Sequence, residues 1–282
     1  MSDLAIILAW RRADFLMATL RRLVLADEPE MFYRISIDRG YTQPVVDVAQ
    51  EFVQHMQGRA EIRFVPKHDF WGSSFNTFTT YADAAQEDWD IVHMIEEDIL
   101  VSVDYFTYHR EAHRLAPEAF SVCGCRNWMR GDPPNQDEDS VYLSDNYLVS
   151  STSYRREMLP EILKFVDPTY YENPAAYISA IFPDASMPHT KWTEQDGLLM
   201  RVRERLGLSC VYPCVPRSYH AGFSGYNRAG LDLTGSVVEN AQRILAMGDE
   251  ELNRRSGGFN DFASIDLNKR RQTLRRVVTH NS

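Results

Sequence analysis

Apolar and polar positions follow two alternating rhythms along the first hundred residues. Short apolar runs occur at 4–10 (Leu-Ala-Ile-Ile-Leu-Ala-Trp), 33–38 (Tyr-Arg-Ile-Ser-Ile-Asp), 61–65 and 90–95 (Asp-Ile-Val-His-Met-Ile). Their length and composition predict strands, the first of them apolar on both sides as in a buried parallel sheet. Between them the apolar positions take helical spacing: Phe15, Leu16, Leu20, Leu23 and Val24 in 13–25, then Val45, Val48, Ala49, Phe52 and Met56 in 45–56. A third helix is expected over 72–86. Four such β-α repeats predict an α/β protein with a doubly wound, mixed but mainly parallel sheet flanked by helices.

Beyond residue 101 the rhythm loosens. Strands are expected at 120–125, 146–150 and 209–212, and helices at 153–165, capped by Ser153, and at 193–206, ending at Gly207. Residues 130–140 are polar and Pro-rich and read as a loop. The expected organisation is one domain over 1–229, with a nucleotide-binding half (1–101) and an acceptor-side half (102–229). A polar, partly helical extension over 230–282 carries Lys269-Arg270-Arg271 and Arg275-Arg276. No internal repeat is visible.

Composition narrows the class. With 282 residues, 44% hydrophobic and 25% charged, the chain is an ordinary globular protein rather than a disordered or fibrous one. No apolar run approaches the roughly 20 residues of a membrane span, and the Met-Ser-Asp-Leu start has no basic n-region. The expectation is a soluble, cytoplasmic protein without a membrane partner. A net charge of −10 opposes non-specific binding to polyanions. Only four of the 30 cationic residues are lysines, which leaves arginine as the main candidate phosphate ligand. The cysteines, Cys123-Gly-Cys125 and Cys210-Val-Tyr-Pro-Cys214, fall in predicted strands at spacings looser than a zinc ribbon's. Buried thiols suit them better than zinc.

The chemistry is expected at the carboxyl ends of the strands, where open α/β sheets bind ligands. Asp38 ends the second strand, and Glu96-Glu97-Asp98 end the fourth. Three adjacent carboxylates repel one another, and a hard divalent cation with phosphate co-ligands resolves the conflict. The structural alternative is an acidic start to a following helix. Neither G-x-x-x-x-G-K-[ST] nor G-x-G-x-x-G is present, and there is no G-x-S-x-G elbow. Phosphate would therefore be gripped by metal and arginine rather than by a glycine loop.

The segment Ile91-Val-His-Met-Ile-Glu-Glu-Asp-Ile-Leu-Val-Ser-Val-Asp-Tyr-Phe106 resembles the metal-binding segment of GT-A nucleotide-sugar glycosyltransferases, most closely the N-acetylglucosaminyltransferase I type. In those enzymes a strand meets Glu-Asp-Asp, then an apolar stretch, then Asp-Phe-Phe. The resemblance extends to Ala9-Trp10-Arg11-Arg12 and Ile37-Asp38-Arg39-Gly40, and covers about the first 125 residues. It implies a Rossmann-like GT-A fold in which Asp98 binds Mn2+ or Mg2+. Glu96 and Glu97 fall to the donor nucleotide, with Glu97 near the ribose or the metal's waters. Asp38 would read the uracil edge and Arg12 would touch a phosphate. Here the middle acid is Glu, and Asp-Arg-Gly replaces Asp-Gly-Gly.

Two later segments fit the same chemistry. In Lys191-Trp-Thr-Glu-Gln-Asp-Gly197, either Glu194 or Asp196 is placed to take the acceptor's proton; Thr193 with Asp196 also reads as a capping box. In Arg217-Ser-Tyr-His-Ala-Gly-Phe-Ser-Gly225, Arg217 would close on the pyrophosphate and His220 complete the metal shell, against the plainer reading of a hydrogen-bonded loop histidine. Trp71, Asn76, Trp128, Tyr170 and Tyr171 are candidates for a sugar pocket or for core. The implied activity is inverting transfer of a hexosyl or N-acetylhexosaminyl group. The donor would be a nucleoside-diphosphate sugar, UDP-linked by preference, and the acceptor a glycan, a small molecule or a modified DNA base. The alternatives are a nucleotidyltransferase, although no glycine-rich basic loop follows the first strand, and an inactive GT-A domain that binds carbohydrate or a partner.

Overall fold

The computed structural model describes residues 2–70, 73–126, 133–148, 151–183, 194–224, 234–256 and 265–278. In the first part of the chain β1 (Asp3–Ala9), α1 (Ala13–Ala26), β2 (Met31–Ile37), α2 (Gln43–His55), β3 (Ala60–Phe64), α3 (Ser74–Ala85) and β4 (Ile91–Glu96) alternate without interruption. Then come β5 (Ile99–Val101), α4 (Tyr105–Leu115), β6 (Ser121–Cys123), β7 (Ser140–Ser144), β8 (Thr152–Arg155), α5 (Met158–Leu163), α6 (Pro168–Glu172) and α7 (Pro174–Ile181). The last elements are α8 (Gln195–Leu206), β9 (Cys210–Pro213), β10 (Ser218–His220), α9 (Val237–Ala246), α10 (Asp249–Arg255) and β11 (Arg276–Val278).

Among the described residues the main sheet has nine strands, ordered β11-β7-β9-β6-β8-β4-β1-β2-β3. β1 lies between β2 and β4, parallel to both, and β3 continues in parallel beyond β2. The antiparallel joins lie in the second half, where β8 runs against β4 and β6, and β7 against β9. The sheet is thus mixed and mainly parallel, as the alternation predicted. β1 shows no apolar alternation because both its faces are covered: Ala5, Ile7 and Ala9 join α1 and α2 in one core, while Leu4, Ile6 and Leu8 join Phe78, Tyr81 and Ala84 of α3 in another.

Several expectations in the second half are corrected. Residues 153–165 do not form one helix. Thr152–Arg155 is the strand β8 and the helix is the shorter α5. Ser153 caps nothing; its hydroxyl lies 2.6 Å from His109 Nδ1 and 2.9 Å from His113 Nε2. A strand not expected from the sequence forms at Ser140–Ser144, and of the strand expected at 146–150 only 146–148 is described, outside any strand. Helix α8 starts at Gln195 with Glu194 as its N-cap, without a side-chain capping bond from Glu194; Thr193 of the expected capping box lies outside the described residues. Gly207 closes the helix in the left-handed conformation at φ 67°. The C-terminal region also enters the body of the molecule. α9 contributes Ala241 and Ile244 to the core that holds α1, and β11 extends the sheet in parallel from β7.

None of the four cysteines forms a disulfide, and Cys123, Cys210 and Cys214 are buried. Burial pushes the Cys123 and Cys210 thiols up, which keeps them neutral.

Candidate active site

The reversal from β4 into β5 sends three consecutive carboxylates in different directions. Glu97 turns toward the end of β1, where its Oε2 accepts from the Trp10 backbone N–H (2.8 Å) and its Oε1 from Arg12 Nε (2.7 Å). Its carbonyl accepts from Thr19 Oγ1 of α1 at 2.8 Å, which ties the turn to the first helix. Asp98 turns toward β10. β5 and β10 pair antiparallel with Ile99 opposite His220, and the Asp98 carbonyl accepts from Ala221 N at 2.8 Å. Asp98 Oδ2 is 2.8 Å from Arg12 Nη2, and its Oδ1 is 3.8 Å from His220 Nε2.

Glu96, half-buried at the last position of β4, completes the group. One ligand atom from each of Glu96, Asp98 and His220 lies within 4.8 Å of the others. Gly222 permits the close approach of the β10 segment, because a Cβ there would overlap Asp98 Oδ2 and stand 2.6 Å from His220 Cε1. The residues fit a divalent cation. Asp98 Oδ1 is buried and accepts no hydrogen bond, and two carboxylates with one imidazole form a donor set suited to Mn2+ or Mg2+. Glu96 joins Asp98 and His220 in this group, whereas the sequence assigned it to the nucleotide.

Charge is unevenly shared across the turn. Burial and the Asp98 charge raise the Glu96 carboxyl to about 8, against the opposing pull of Arg12. Burial alone would raise Asp98, but His220 and Arg12 outweigh it and hold that carboxyl below its ordinary value. Glu97 is raised by burial despite Arg12 and the Trp10 N–H. Burial and the neighbouring charges thus favour the protonated form of Glu96 and the charged form of Asp98.

The Asp196 charge reaches Glu96 and adds to the rise of that carboxyl. Burial raises Asp196 itself, and burial with the Asp196 charge raises Glu194. Asp196 Oδ1 accepts from Gly197 N at 2.8 Å at the start of α8. Glu194 is exposed at the N-cap.

On the other flank, Asp38 follows β2. Its Oδ1 accepts from Arg39 N (2.7 Å) and lies 2.9 Å from His68 Nε2. The turn closes at Gly40, whose φ of +71° favours glycine. Arg11 Nε and Trp10 Nε1 donate to the Gly40 and Arg39 carbonyls, which joins this turn to the end of β1.

Arg217 is not brought to the acid turn. It is 1% exposed, donates to the Val215 and Glu138 carbonyls, and places Nε 3.3 Å from Asp104 Oδ2. Its role as a pyrophosphate ligand is therefore withdrawn. Asn76 is likewise a buried core residue, with Nδ2 donating to the Ser36 carbonyl and Oδ1 accepting from Ser36 Oγ. Tyr170 is fully buried against Ser74 Oγ at 3.2 Å, and Tyr171 packs on Phe70 and Phe75. Trp71, Trp128, Lys191, Trp192, Thr193 and Gly225 lie outside the described residues.

No protein-family model matches the sequence. Among solved structures, S. aureus TarS 1–349 in complex with UDP-GlcNAc superposes with a TM-score of 0.53 at 11% identity, covering 92% of this chain and 71% of that one. The chain has the GT-A fold. A GT-A neighbour of lower score is the mannosyltransferase PcManGT from Pyrobaculum calidifontis in complex with GDP-Man and Mn2+, with a TM-score of 0.46, 12% identity and 76% of this chain covered. Another is the galactosyltransferase LgtC with donor and acceptor sugar analogs, at 0.43, 13% and 71%. The chain spans 57% of the length of PcManGT and 37% of a longer TarS chain. In the GT-A frame of this protein, the acid turn lies at the carboxyl end of β4, beside the ends of β1 and β2. No helix among the described residues is long and apolar enough to cross a membrane.

Two residues of the site escaped the sequence reading. Gly222 carries its signal in His220-Ala-Gly-Phe223, where a glycine beside a candidate ligand allows close backbone approach. His68 gave none, because only the packing of residues 65–70 against β2 brings it to Asp38.

Proposed function

We propose that the chain is a metal-dependent glycosyltransferase that moves a sugar, with inversion, from a nucleoside-diphosphate donor to an acceptor hydroxyl. One observation carries the reading: Glu96, Asp98 and His220 converge at the end of β4, with Arg12 paired to Asp98 and the Asp196 charge within reach of Glu96. Glu96, Asp98 and His220 would hold Mn2+ or Mg2+. Such a cation supplies charge neutralisation for a departing diphosphate. Arg12 adds a bidentate positive fork at the same place. Asp38, Arg39 and His68 stand where the β1 and β2 ends offer a polar edge to the nucleobase. A UDP-linked donor remains the preferred expectation, and an N-acetylhexosaminyl or hexosyl group the expected cargo.

Asp196 is the proposed general base, since burial raises its carboxyl above the ordinary value and its charge reaches Glu96 of the acid turn. It would take the acceptor O–H proton as that oxygen bonds the anomeric carbon and the carbon–diphosphate bond breaks. Glu194, more exposed at the N-cap, would serve acceptor binding.

Thermal denaturation with UDP, GDP, UDP-GlcNAc and GDP-Man, each with and without Mn2+, tests the reading. A true donor is expected to stabilise the wild type only with the metal, by about 2.7 kcal/mol at a hundredfold excess over Kd. Asp98→Asn should abolish the shift. A shift in wild type without donor hydrolysis or transfer would mark a binding domain instead, and metal-independent shifts in both proteins would exclude the metal site.

A further inference from the structure

Arg12 makes three separate attachments at the acid turn. Nε donates to Glu97 Oε1 at 2.7 Å, Nη2 pairs with Asp98 Oδ2 at 2.8 Å, and Nη1 donates to the Ser224 carbonyl at 2.9 Å. Its side chain is 27% exposed and held between the two carboxylates. The guanidinium thus stands at Asp98, a member of the candidate cation group.

We propose that Arg12 is a built-in counter-cation that competes with the divalent metal for Asp98, so that metal and nucleoside diphosphate bind the protein synergistically. The inference rests on reading Glu96, Asp98 and His220 as the cation site. A divalent cation on Asp98 and a guanidinium on the same carboxylate repel each other strongly at this range. Arg12 cannot simply leave, because Glu97 anchors it and is itself fixed by the Trp10 N–H. Once detached from Asp98 it presents N–H groups with no acceptor, half-removed from water, which is unfavourable. The oxygens of a diphosphate supply that acceptor. Each ligand therefore removes the cost that opposes the other, and the coupling is reciprocal. Arg12 is a positioning residue in this scheme. Its effect is read in binding of the metal alone.

The test is Mn2+ binding, followed by electron paramagnetic resonance of the free ion, with and without UDP or GDP. The proteins are the wild type, Arg12→Gln, Arg12→Lys and Asp98→Asn, each checked for folding by circular dichroism. Arg12→Gln should bind Mn2+ alone at least about tenfold more tightly than wild type, since a positive charge beside the site is gone. The enhancement of Mn2+ affinity by diphosphate should shrink correspondingly. Arg12→Lys keeps the charge and is expected to bind Mn2+ no more tightly than wild type. Equal or weaker Mn2+ binding by Arg12→Gln overturns the proposal, as does tight binding by Arg12→Lys, which would assign the effect to shape rather than charge. If Asp98→Asn binds Mn2+ like the wild type, the cation-site reading itself fails and the inference falls with it. If Asp98→Asn loses Mn2+ but Arg12→Gln gains nothing, only the role of Arg12 is overturned.

Discussion

Asp98 is constrained from three directions: Arg12 on Oδ2, His220 near Oδ1, and the backbone of Gly222 pressed against the carboxylate. A methyl group at 222 has no room, since it would meet a buried carboxylate and an imidazole ring that are both held by their neighbours. Gly222→Ala should therefore cost about 1–3 kcal/mol in urea unfolding, as for other overpacked sites. It should also weaken Mn2+ binding more than a comparable change at exposed Gly248. Equal effects at the two positions would remove the close approach from the account. At this scale the acidic triplet was legible because three charges closing an apolar strand need a reason. Their directions were not, because the chain gives adjacency while the turn decides that Glu96 joins Asp98 and Glu97 faces Arg12. Arg217 shows the converse error: its place next to a glycine-rich segment suggested a ligand, yet its side chain is spent on Asp104 and two carbonyls.

The elements of the first half follow from local pattern alone, since β1, α1, β2, α2, β3, α3 and β4 each fall within two residues or so of the expected spans. β8 does not. Thr152 to Arg155 is short and rich in hydroxyls, and a serine ahead of Tyr-Arg-Arg-Glu-Met-Leu looks like a helix cap. Tertiary structure overrides that local signal, because β8 bridges β4 and β6 and turns Ser153 onto two histidines of α4. Those histidines make a pH prediction. Burial holds His109 well below 6.5 and lowers His113 to about 3, with His93 and Arg155 adding to the latter and Asp3 opposing. Below about pH 6.5 the unfolded chain takes up protons that the native state refuses. Their contribution to stability is therefore full above that pH and is lost as the pH falls. The expected slope is about 1.4 kcal/mol per pH unit for each histidine. The double variant His109→Asn, His113→Gln retains a hydrogen-bonding nitrogen near each Ser153 contact without titrating. Urea unfolding at pH 7.5 and 5.0 should show a smaller acid loss for it than for wild type; parallel losses would place the acid sensitivity elsewhere.

Across the whole molecule, the residues read as a polar extension act as a belt. Leu267 and Asn268 accept from the buried Arg22 of α1, and the Leu267 carbonyl also accepts from Val103 N. Arg271 pairs with Asp104, the Leu274 N–H donates to Glu111 of α4, and Leu274 is 2% exposed in a small core with Tyr108, Val122, Val141 and Val211. β11 then closes the sheet edge at β7. Polarity concealed this role, because the belt is held mainly by hydrogen bonds and ion pairs to distant elements, which leave no apolar period in the chain. Asp104 also pairs with Arg217, whose carbonyl accepts from Ser102 N and whose next residues form β10 and carry His220. Removal of residues 265–282 would leave Arg22 and Asp104 buried with partners missing, and Asp104 freer to let go of Arg217, at a cost on the order of 5 kcal/mol and a drop in Tm of about 10 °C or more. Mn2+ affinity should fall with it, since β10 loses the support behind His220. Leu274→Ala separates the two contributions: it empties the small core, for about 2–4 kcal/mol, while keeping the ion pairs, and should leave Mn2+ affinity near wild type. A truncated protein that melts and binds Mn2+ as the full chain does would make the belt a passive strap, with the site built entirely by the elements before it.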